Sequence, residues 1–125
     1  MTRQSDAIRF ELPTALSKYG MELFYSAADS CKEWDSWGVR RAWRGERTTV
    51  ATITLFSPAP HIPANRLMQV HSYGDNSPAN RKARAGLVTA LADTNLPIGP
   101  YSSDYFRQFS EYGPRAADNY PINIC

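Results

Sequence analysis

The sequence predicts an α+β fold, an antiparallel sheet of about four to five strands with two C-terminal helices packed on one face. Three observations carry this expectation. Alternation at period two recurs through the first half of the chain, a hairpin pattern closes around Gly45, and helical spacing takes over after Pro78. The 125 residues are 42% hydrophobic and 21% charged, which suits one globular domain over 1–125 with a core of its own.

Residues 8–12 (Ile8, Arg9, Phe10, Glu11, Leu12) alternate apolar and polar and predict a short strand ending at Pro13, with one helical turn following over 14–19. Met21, Leu23, Tyr25 and Ala27 then predict a second strand, and 29–36 reads as a connection. Residues 37–56 predict a hairpin. A three-residue loop of Arg44, Gly45 and Glu46 pairs Trp43 with Arg47, Arg41 with Thr49, Val39 with Ala51 and Trp37 with Ile53. That register gathers Trp37, Val39, Trp43, Ala51, Ile53 and Leu55 on one face and leaves Arg40, Ala42, Arg44, Thr48, Val50, Thr52 and Thr54 on the other. Arg41 falls on the apolar face, where it needs an acidic partner or a route to water.

Three prolines make 57–63 a loop rather than a central strand, and 69–73 predicts a further strand. Gly74, Asp75 and Asn76 are turn residues, Ser77 is an N-cap and Pro78 suits the first helical position, so a helix is predicted over 78–93 with Leu87, Val88 and Leu91 as its buried stripe. A second helix is expected from Ser103, because Tyr105, Phe106, Phe109 and Tyr112 recur at helical spacing before Gly113 and Pro114. The tail 115–125 ends in Tyr120, Pro121, Ile122, Asn123 and Ile124, a docked segment or an arm for a homo-oligomer.

The net charge of +2 says little about partners, but its distribution says more. Arg40, Arg41, Arg44 and Arg47 surround a single glutamate, and Arg81, Lys82 and Arg84 crowd the first turns of the 78–93 helix without any acid. Cations there oppose the helix dipole, whose N-terminus favours anions. The candidate binding residues are therefore Tyr73, Asn76, Ser77, Asn80, Arg81, Lys82 and Arg84 at the helix start, with Arg40, Arg44 and Arg47 on the hairpin. Arg81 and Lys82 would hold a phosphate, Asn76 or Asn80 would add hydrogen bonds and Tyr73 would stack on a base. Removing Arg81, Lys82 and Arg84 together is expected to spare the fold.

No catalytic residue is assigned, since His61 and His71 lie in no catalytic spacing and no Gly-x-Ser-x-Gly elbow occurs. No metal or cofactor is expected, because the two histidines and the isolated Cys31 and Cys125 form no ligand set and no phosphate-binding glycine loop is present. No apolar run approaches the about 18 residues of a membrane span. Residues 1–6 lack the apolar core of a signal peptide, so a cytoplasmic protein with free thiols and no membrane contact is expected.

These readings point to a small non-enzymatic binding protein or inhibitor of the kind viruses encode. It would use a basic surface to block a nucleic-acid-handling host defence complex or to capture a nucleotide-type signal. The alternatives are a direct DNA- or RNA-binding module and a small enzyme with an unrecognised site.

Overall fold

A computed structural model describes residues 3–43, 45–57 and 68–110. Four strands, β1 (Met21–Tyr25), β2 (Trp34–Trp43), β3 (Glu46–Phe56) and β4 (Met68–Ser72), form one antiparallel sheet in the order β1-β2-β3-β4. This is the α+β class that the sequence predicts.

The N-terminus departs from expectation. Instead of a strand, residues 3–17 are helical: α1 (Arg3–Asp6), a π-helical segment (Ala7–Glu11) and α2 (Leu12–Ser17). A strand would turn Ile8, Phe10 and Leu12 to one side, yet Ile8 and Leu12 are fully buried while Phe10 is 70% exposed. The buried set, Ala7, Ile8, Leu12, Ala15 and Leu16, follows helical spacing instead. Pro13 explains the wide turn. Its ring has no N–H to give and would crowd the carbonyl four residues back, and the helix widens before it so that the Leu12 N–H reaches the Ala7 carbonyl.

The hairpin of β2 and β3 is present with a mixed register. Trp37 pairs with Ile53 and Val39 with Ala51, as predicted, but the tip is tighter than expected: Trp43 pairs with Glu46, Ala42 with Arg47 and Arg41 with Thr48. A bulge reconciles the two halves. Between Val39 and Arg40 the register shifts, leaving Val50 as the extra residue of β3. Val50 and Ala51 are both fully buried, although the predicted register set them on opposite faces. The bulge lets a two-residue tip coexist with an apolar Ala51, Ile53 and Leu55 face, a combination that a regular ladder forbids.

α3 (Pro78–Asp93) has the predicted bounds, and Ala83, Leu87, Ala90 and Leu91 are buried. It packs beside α2 and onto β3, while α2 contacts β1, so the core lies between these helices and the sheet face bearing Met21, Val39, Ile53 and Val70. The last helix is shorter than expected: α4 (Asp104–Arg107) has one turn. Its Phe106 is fully buried, but Phe109 is 46% exposed.

Ser103 occupies the N-cap without capping, because its Oγ accepts the Ser72 N–H at 2.8 Å. Residues 99–103 run along the outer edge of β4. Ser102 Oγ accepts the Val70 N–H at 2.9 Å, and the Gly99 and Ser103 N–H groups donate to the Met68 and Val70 carbonyls. An edge that would otherwise expose unpaired donors is thus covered. The expectations for Arg44, for the proline loop with His61 and for the tail from Tyr112 to Cys125 lie outside the described residues.

Candidate functional site

The turn before α3 is built around Arg84, and this changes the meaning of the basic helix start. Arg84 is 2% exposed. Its Nε donates to the Val50 carbonyl at 2.9 Å, Nη1 to Asn76 Oδ1 at 2.9 Å, and Nη2 to the Tyr73 and Asp75 carbonyls at 2.7 and 2.9 Å. The guanidinium is therefore a clamp that ties the 73–76 turn to the bulge residue of β3. It holds five donors in a rigid fork, a shape suited to converging carbonyls, and it does not face a ligand. The expectation that Arg84 can be removed without harm to the fold does not fit this geometry.

The other polar residues of the helix start are also engaged internally. Asn76 Oδ1 is taken by Arg84. Ser77 Oγ caps the helix by accepting the Asn80 N–H at 3.3 Å, and the Ser77 N–H donates to Asp75 Oδ1 at 3.0 Å. Asn80 is 3% exposed, with Nδ2 donating to the carboxylate and carbonyl of Asp75 and Oδ1 accepting from Arg41 Nε at 2.9 Å. The anion that the helix dipole favours is thus supplied by the protein as Asp75.

Hydrogen bonds from Ser77, backbone N–H first and side chain second, hold the Asp75 carboxyl below its ordinary 3.8, and the charges of Arg84 and Arg41 act in the same direction. A carboxylate favoured in the folded state contributes stability above its unfolded pKa and loses it as pH falls through the folded value. Wild type is accordingly expected to lose melting temperature below about pH 4 more steeply than Asp75→Asn. A pH series of thermal melts checks this, and parallel acid limbs would contradict it.

On the hairpin, Arg40 and Arg47 share Glu22, with Nε to Oε1 distances of 2.6 and 2.9 Å, and Arg40 stacks 4.6 Å from the centre of the Phe24 ring. Arg40 and Arg41 are neighbours in one strand and so point to opposite faces of the sheet. The hairpin cluster is consequently split, with Arg40 and Arg47 on Glu22 and Arg41 turned toward the start of α3. Tyr73 is 58% exposed, and Arg81 is exposed on α3. Burial lowers the pKa of His71 in β4 below its ordinary value.

A different set of cations does converge. Between the turn after α2, the tip-side end of β2 and one face of α3 lies an open groove of about 760 Å³, lined in part by Lys18, Arg41 and Lys82. Ala79, Ala83, Gly86 and Thr89 lie along its α3 side at helical spacing, with Gly86 packed closely against Tyr19 and Met21. Tyr19, 41% exposed, also lines the groove and packs on Gly86. None of the described lining residues is acidic, and among the described residues Lys18, Arg41 and Lys82 form no ion pair.

Of the predicted site residues that are described, Lys82 alone lines this groove. Asn80 reaches it through Arg41. Lys18 and Arg41 are not among the candidate binding residues, although Arg41 belongs to the basic run of the hairpin and falls on its apolar face.

Among the described residues, no cluster of three or more His, Cys, Asp or Glu side chains could hold a metal ion, and no helix is long and apolar enough to cross a membrane. No protein-family model, curated protein or solved structure matches the chain.

Proposed function

We propose that this chain is a non-enzymatic binding protein that captures a nucleotide-type anionic ligand in the groove between α2, β2 and α3. The supporting observation is the convergence of Lys18, Arg41 and Lys82, without a direct ion pair among the described residues, on a groove whose remaining lining is largely small and apolar. Its volume falls within the range of about 300–1,000 Å³ usual for small-molecule sites. Phosphates would meet the cations, and a base or sugar would lie against Ala79, Ala83 and the Tyr19 ring. Sequestering such a ligand is also the simplest way for a small protein to inhibit a nucleotide-triggered defence complex.

Titration calorimetry with ATP, AMP, adenosine, inorganic pyrophosphate and a single-stranded oligonucleotide tests this reading. ATP is expected to bind most tightly, AMP more weakly and adenosine weakest. Tight binding of the oligonucleotide alone, with affinity falling steeply as salt rises, would replace the proposal with direct nucleic-acid binding. Binding of none of the five would refute it.

A further inference from the structure

Arg41 is the best-anchored cation of the groove, and what anchors it is neutral. Its Nε donates to Asn80 Oδ1 at 2.9 Å, and the Asn80 amide is itself fixed by donating Nδ2 to Asp75 Oδ1 at 3.0 Å and to the Asp75 carbonyl at 3.2 Å. These contacts also settle which way the amide points, since its acceptor faces a donor and its donor faces acceptors. The chain Asp75, Asn80, Arg41 is nearly withdrawn from solvent at its centre, where Asn80 is 3% exposed. A carboxylate at position 80 would orient the guanidinium at least as firmly, as charge-assisted bonds are shorter and about twice as strong as neutral ones. It would also cancel the charge. The protein instead places its carboxylate one amide further away.

We infer that Asn80 is a positioning residue that aims Arg41 into the groove without neutralising it, so that the groove selects ligands carrying two or more negative charges, as in a diphosphate. This rests on the groove being the ligand site. Lys18 and Lys82 are flexible point charges, whereas a planar guanidinium held at Nε offers its remaining N–H groups in a defined direction, the geometry that bidentate recognition of a phosphate requires. Asn80 itself need not touch the ligand.

The test exchanges the two side chains. In the double variant Asp75→Asn/Asn80→Asp the net charge is unchanged, the amide then at position 75 can still accept from the Ser77 N–H, and the carboxylate then at position 80 can still accept from Arg41. Only the position of the negative charge moves. The expected result is a melting temperature within a few degrees of wild type, a retained Arg41 Nε–H signal in nitrogen-correlated NMR spectra, and binding of inorganic pyrophosphate weakened by about tenfold or more. Asn80→Ala provides a second variant that introduces no new charge. It is expected to lose the sharp Arg41 Nε–H signal and to weaken pyrophosphate binding several-fold.

If the exchanged protein, or Asn80→Ala, binds pyrophosphate as tightly as wild type, the role of Asn80 is refuted while ligand capture by the groove stands. If wild type binds neither pyrophosphate nor ATP, ligand capture falls and the selectivity inferred for Asn80 falls with it.

Discussion

Arg84→Ala is expected to destabilise the protein by on the order of 3–5 kcal/mol, since several hydrogen bonds made by a charged group, worth about 1.5–3 kcal/mol each, are lost together. Truncation would leave the Val50, Tyr73 and Asp75 carbonyls and Asn76 Oδ1 without the donor that now converges on them from a side chain itself 2% exposed. It would also release the turn that sets Asp75 and Asn80 in place, so the loss extends beyond the bonds themselves. For a chain of this size the melting temperature should fall by roughly 10–20 °C. Arg84→Lys should recover little of this, since one ammonium cannot reach carbonyls spread around a planar fork. Thermal and urea melts check both variants, and an Arg84→Ala midpoint equal to wild type would show that the clamp contributes nothing. The basic helix start thus separates into one structural cation and two surface cations.

Those two surface cations should then behave differently from each other. Lys82 lines the groove and Arg81 does not. Lys82→Glu is expected to weaken binding of ATP and pyrophosphate by on the order of 100-fold at low salt, because reversal both removes an attraction and adds a repulsion within a few ångströms of the ligand charge. Arg81→Glu acts only through solvent and should cost less than about threefold at physiological ionic strength, where screening sets in over about 8 Å. Calorimetry on the two variants at two salt concentrations makes the comparison, with thermal melts confirming that both fold. Equal losses from the two reversals would mean that the ligand sits at the outer surface of the helix start and not in the groove.

Some of this was legible in the chain and some was not, for reasons that differ from element to element. The start of α3 was legible because Ser77 and Pro78 act on their own turn, and the cap forms as the residues predict. Residues 8–12 misled because a five-residue alternation fits a strand and a helical segment alike until burial distinguishes them, and Phe10 proved to be the exposed member. The hairpin register was half legible: hydrophobic pattern set it near Trp37 and Val39, whereas turn geometry set it at the tip, and the bulge at Val50 absorbs the mismatch.

For the candidate site, the sequence by itself determined which residues carry charge and that Arg81, Lys82 and Arg84 crowd one helix start. Only the tertiary structure decided that Arg84 is spent on backbone carbonyls, that Arg40 and Arg47 share Glu22, and that Lys18 and Arg41 join Lys82 across a groove. The physical reason is range. Capping and periodicity act over a few bonds and can be read along the chain, but whether a cation is consumed or left available depends on partners such as Val50 and Asn80, which lie 34 and 39 residues away.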